Sequence, residues 1–133
     1  MGCTLRISAA ETIVAHAKRE QPAECCGILL GRPGEILDAV PTRNLAGDPN
    51  RFLIDPEGHI NARRAARGRG LVVLGFYHSH PHSPPAPSAR DLAEATYESS
   101  LHLIVSLQSE PAVLRVFELE DRGFVEVPCV EVP

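Results

Sequence analysis

Apolar residues recur at Ile13, Val14 and Ala17, behind a stretch that opens Ser8-Ala9-Ala10-Glu11. That spacing predicts a helix over about 8–19, with Ser8 and Glu11 as a capping box and a stop ahead of Pro22. "ECCGILLG" then predicts a strand, and Gly34 turns the chain into a second one, "EILDAV". "NLAGDPN" is loop by composition, "RFLI" predicts a short strand, and Asp55-Pro56 opens a second helix to about Arg69. The near-continuous apolar run "LVVLGFYH" marks a central strand covered on both faces. "PHSPPAPS" excludes regular structure, because proline removes donors and fixes φ. Ser88 caps a third helix to about Ser100, and "LHLIVSL", "AVLRVFEL" and "GFVEVP" close the chain as strands joined by short connections, hence antiparallel. The expected fold class is α/β: one domain, residues 1–133, with a mixed, largely antiparallel twisted sheet and helices packed on it.

Composition narrows the functional classes. At 133 residues, 44% hydrophobic and 23% charged, the chain has the make-up of a globular domain that needs no staples. A net charge of −4 gives no footing for nucleic acid or a membrane surface. The first twenty residues lack the basic flank and apolar core of a signal peptide, so a cytoplasmic location is expected. Cys3, Cys25, Cys26 and Cys129 have no CxxC spacing, and the adjacent Cys25 and Cys26 are expected to act as small apolar filler in a strand.

Candidate chemistry concentrates at the end of the central strand. His78 and His80 are two residues apart, so their imidazoles project from the same face and can reach one ion. With Ser88 as N-cap, Asp91 falls in the first helical turn, where it is the natural third ligand. Two histidines and one carboxylate would leave the fourth position of a zinc ion to water, whose pKa the metal lowers towards about 7. Hydrolysis also needs a proton carrier that is not a ligand. Glu24, at the start of a strand, is a candidate, although spacing alone does not choose it among the acids.

"HSHP" at 78–81, followed by Ser88 and Asp91 in the pattern H-x-H-x(7)-S-x-x-D, resembles the JAMM (MPN-plus) metalloprotease family, and "PAECCGILLGR" resembles that family's opening strand. The resemblance runs through nearly the whole chain and is closest to the compact prokaryotic type. It implies a deaminase-like MPN fold and one zinc held by His78, His80 and Asp91. It also implies Glu24 as general base and then acid, and Ser88 as a stabiliser of the oxyanion. The implied substrate is a ubiquitin-like or sulfur-carrier protein with a C-terminal Gly-Gly. The bond after that tail is hydrolysed in deconjugation or tail processing, including cysteine release for cysteine biosynthesis.

Other readings stand beside this one. Relatives without the metal motif act as protein-binding scaffolds, the main alternative. A Ser88–His–Asp91 triad leaves the second histidine unexplained, and a zinc deaminase would need His-x-Glu with Pro-Cys-x-x-Cys, which does not occur. Pro81 is expected to turn His82 away from ligation, towards solvent or substrate. His16, His59 and His102 carry no motif relation and are expected to be ordinary structural residues. Arg63, Arg64, Arg67 and Arg69 form either a solvated helix face or a docking surface for an acidic partner.

Overall fold

In the computed structural model, which describes residues 2–94 and 100–133, eight strands form one sheet. In chain order the elements are β1 (Cys3–Arg6), α1 (Ile7–Glu20), β2 (Cys26–Arg32), β3 (Glu35–Thr42), α2 (Pro56–Gly68) and β4 (Val72–His80). These are followed by α3 (Ala89–Glu94), β5 (Leu101–Ser106), β6 (Val113–Glu120), β7 (Gly123–Val127) and β8 (Cys129–Val132). The sheet order is β7-β6-β5-β4-β2-β3-β1-β8, so β4 is central as its apolar run predicts. The β2–β3, β2–β4, β5–β6 and β6–β7 pairs are antiparallel, while β4–β5, β1–β3 and β1–β8 are parallel. The mixed α/β class therefore holds. Among the described residues no helix is long and apolar enough to cross a membrane.

Alternation along the strands sends side chains into two cores. Leu29, Tyr77, Leu103 and Val105 meet Ala9, Ala10, Ile13 and Ala17 of α1 on one face. Ile28, Leu30 and Phe76 meet Ala62 and Ala66 of α2 on the other. Each of the leucine, isoleucine, valine and phenylalanine side chains among them, when fully buried, contributes about 1.5–3 kcal/mol, and each alanine much less. Gly75 is required where β4 and β5 run side by side, because a Cβ there would collide with the Leu101 backbone carbonyl.

Some local expectations are corrected. Ser8 is not a cap: α1 starts at Ile7, its N-cap is Arg6 without a side-chain hydrogen bond, and the Ser8 carbonyl accepts from Thr12 Oγ1 at 3.1 Å. The strand β1 feeds directly into the helix, so tertiary pairing and not capping sets its start. "RFLI" is no strand; only an Asn44–Ile54 bridge forms. The Asn44 side chain takes the ladder's place, accepting from Leu53 N–H at 2.9 Å and donating to Arg51 O at 2.9 Å. Asp55 does cap α2, accepting from Glu57 N–H at 3.0 Å, with Pro56 at the first helical position. Helix α3 is described to Glu94; the expected continuation over 95–99 lies outside the described residues, and Ser100 is not helical. The strands β1 and β8 went unread. Each has four residues, and β8 leaves β7 at Pro128 to pair with β1 at the far edge of the sheet.

Candidate metal centre

His78 and His80 are the last even-numbered residues of β4, on the same face as Phe76, and both are 4% exposed. The loop 81–88 then brings α3 back across them. Their Nε2 atoms lie 3.1 Å apart; Asp91 Oδ1 is 3.2 Å from His78 Nε2, and Asp91 Oδ2 is 3.1 Å from His80 Nε2. Ligands of a tetrahedral zinc at about 2.0–2.1 Å stand about 3.3 Å from one another, so this triad has the spacing of a metal donor set. Among the described residues these three are the group that could hold an ion. Two further contacts suit that role. His80 Nδ1 lies 2.8 Å from the Pro84 carbonyl, and donating to it leaves the Nε2 lone pair facing the centre. The ring of Phe52 stacks on His78, with centroids 4.4 Å apart and planes 17° from parallel.

Asp91 is fixed by a capping box read correctly from Ser88. Ser88 Oγ accepts from Asp91 N–H at 3.0 Å, and Asp91 Oδ2 accepts from Ser88 N–H at 2.8 Å. The Ser88 hydroxyl keeps its own hydrogen to donate elsewhere. Burial pushes the Asp91 carboxyl up, but hydrogen bonds from His78 and His80 outweigh it and hold the group well below the usual carboxylate range. Burial also lowers His78, against the opposing pull of Asp91. It acts the same way on His80, where bonds to Asp91 and Pro84 win and the net shift is upward.

Glu24 precedes β2 by two residues and so is not in the strand that the sequence suggested. It lines the same cavity as His78 and Asp91, a space of about 320 Å³. Burial pushes its carboxyl up to about 7, with His80 pulling down and Asp91 pushing up. A half-buried carboxyl of that pKa can both accept and return a proton near neutrality. Its backbone is clamped, with N–H donating to Pro49 O at 2.9 Å and C=O accepting from Asn44 Nδ2 at 3.0 Å.

Residues that looked ordinary also belong here. His59 of α2 and His102 of β5 line the cavity with Phe52, Phe76 and Phe124. His102 pairs with Phe76, two residues before His78, a pairing invisible before β4–β5 is known, and His59 meets the Phe76 ring from α2 at a centroid distance of 5.3 Å. His16 is structural, its Nδ1 2.7 Å from the Tyr77 hydroxyl. His82 is exposed and outside the donor set. Cys25 and Cys26 are buried, and burial pushes their thiols up to about 12 and about 11, so both are protonated at neutral pH.

Two imidazoles and a carboxylate converging on one point, beside a separate half-buried carboxyl of raised pKa at an open cavity, have the layout of a metal-dependent hydrolase. The chain belongs to the prokaryotic homologs of the JAB domain, whose family model matches residues 7–120. It is 36% identical over 110 residues to a desampylase of Haloferax volcanii, covering 77% of this chain and 79% of that one. It is 28% identical over 127 residues to the CysO-cysteine peptidase of Mycobacterium tuberculosis, covering 93% and 87%. The solution structure of a Desulfitobacterium hafniense protein superposes with a TM-score of 0.90 at 33% identity, covering 98% of this chain and 92% of that one.

Proposed function

We propose that this chain is a zinc-dependent peptidase or isopeptidase that hydrolyses the bond after the C-terminal Gly-Gly of a ubiquitin-like or sulfur-carrier protein, with residues 1–133 acting as one catalytic domain. The observation that carries the proposal is the convergence of the His78, His80 and Asp91 donor atoms beside the raised carboxyl of Glu24. The relatives' names, a desampylase and a CysO-cysteine peptidase, support a protein tail as substrate.

His78, His80 and Asp91 would hold the ion. Zinc bound there supplies a Lewis acid for the scissile carbonyl and lowers the pKa of a nearby water. Glu24 takes a proton from the attacking water and returns it to the leaving amine, two tasks that a pKa near 7 suits. Ser88 donates its hydroxyl hydrogen to the oxygen that gains charge as the carbonyl becomes tetrahedral. Glycines at the tail let the substrate backbone approach closely where side chains would not fit. We place the protein in the cytoplasm, a location supported by four free cysteines.

The test is a carrier protein extended beyond its Gly-Gly by one cysteine, and a second carrying a lysine-linked peptide, both followed by intact mass. Cleavage after the second glycine, abolished by chelator, restored by zinc and absent in Glu24→Gln, is the expected result. Zinc-loaded protein that cuts neither substrate but binds the carrier would overturn the proposal and leave a scaffold.

A further inference from the structure

Ser79 lies between the two candidate ligands, yet its side chain points to the opposite face of β4 and is fully buried. In a regular antiparallel ladder, two residues paired in this way exchange both N–H···O=C bonds. Ser79 and Cys25 make one of them, Ser79 N–H to Cys25 O at 3.0 Å. The other is replaced: Cys25 N–H donates to the Ser79 hydroxyl oxygen at 2.8 Å. The regular β2–β4 pairing stops one position earlier, at Cys26–His78. The chain thus leaves the strand at Cys25 with its N–H still satisfied, and the next residue back is Glu24, which lines the cavity.

We infer that Ser79 is a positioning residue for Glu24, acting through the Cys25 N–H beside the Pro49 and Asn44 contacts that hold the Glu24 backbone itself. The inference rests on the proposed function and deepens it. Removing the hydroxyl leaves a buried N–H without an acceptor, and the Glu24 segment shifts to find another. A displacement of about 1 Å at a reacting group costs about 100-fold in rate.

Threonine and valine have nearly the same shape, so Ser79→Thr and Ser79→Val compare the hydroxyl alone at equal bulk. Both are assayed beside Glu24→Gln for kcat, KM, zinc content and melting temperature. Expected for Ser79→Val is a kcat 10–100-fold below Ser79→Thr, with KM and zinc per chain equal between the two. Equal kcat in the pair would overturn the inference, and so would zinc loss confined to Ser79→Val, which would assign the hydroxyl to the ligands. An active Glu24→Gln would instead overturn the proposed base itself.

A second observation, independent of the site, concerns the chain ends. Cys3 and Cys129 are register partners on the parallel strands β1 and β8, and both join the core cluster under α1, so their side chains share one face. Both cysteines are free. Neighbouring strands stand about 4.8 Å apart, inside the Cα range that a disulfide spans. Among the described residues β8 is an edge strand that pairs only with β1.

We propose that Cys3 and Cys129 form a peroxide-responsive disulfide that locks the two ends of the chain. One thiolate attacks the peroxide to give a sulfenic acid and expel hydroxide, which takes up the proton the thiol gave up and becomes water. The second thiol attacks that sulfur, forming the S–S bond and releasing another water, so two thiols lose two electrons to one peroxide. Hydrogen peroxide should produce a Cys3–Cys129 linked peptide and raise the melting temperature by about 5–15 °C. Dithiothreitol should reverse both effects, and Cys3→Ser should show neither. Overoxidation of Cys129 without the link, or a linked peptide without the melting shift, would refute the lock.

Discussion

Replacing Glu24 by glutamine should make the metal-free protein more stable while abolishing its turnover. The carboxyl has an ordinary pKa of 4.5 and stands at about 7 in the fold, chiefly through burial. Below about 4.5 both folded and unfolded chains hold the proton. Between the two values the unfolded chain releases it first, and above about 7 the full cost of burying the charge is present. A gap of about 2.5 pH units corresponds to about 3.4 kcal/mol at most. The group is only half-buried and water screens it, so about 1–2 kcal/mol is the realistic size. For a chain of this length that is about 3–6 °C in melting temperature. Calorimetry in chelator should therefore show Glu24→Gln melting above wild type at pH 8 and level with it at pH 4. A cation between His78, His80 and Asp91 favours the carboxylate, so zinc should shrink the gain. A variant that melts at or below wild type at pH 8, or gains equally at pH 4, would refute the claim that Glu24 is held in the fold at a cost.

Ser88→Ala should lose about 1 kcal/mol with its helix cap and about 10²–10³ in kcat with its donor, measured by melting and by turnover on the cysteine-extended carrier. Phe52→Ala uncovers His78 and should weaken zinc binding about 10-fold in competition with a chelating dye; unchanged affinity would make the stacked ring mere packing. Arg64 and Arg67 lie exposed on α2. Reversing both charges should raise KM for a carrier protein and spare a short Gly-Gly peptide if that face docks the partner; equal effects on both would make it a solvated face.

The convergence of His78, His80 and Asp91 was legible because strand alternation and helix capping are local rules. Two positions along β4 put His78 and His80 on one face, and the Ser88 cap put Asp91 in the first turn, with no knowledge of the rest of the sheet. Glu24 was legible only through resemblance, since its approach depends on where β2 leaves β4. His59, His102 and Phe52 were not legible, because what brings them to the cavity is the packing of α2 on the sheet, β4–β5 pairing and a loop ordered by the Asn44 side chain. The same holds for β1 and β8, four-residue strands whose pattern is too short to show and whose pairing joins the two ends of the chain. Ser8 had the sequence of a cap but lost the position to a helix that begins straight out of a strand.

The measurement that bears most directly on the central claim is zinc per chain, by plasma mass spectrometry, in wild type beside His78→Ala and Asp91→Ala. We predict about one zinc in the wild type and none in either variant, as an open three-ligand site requires. Wild type that takes up no zinc when it is supplied, or variants that retain it, would contradict the account.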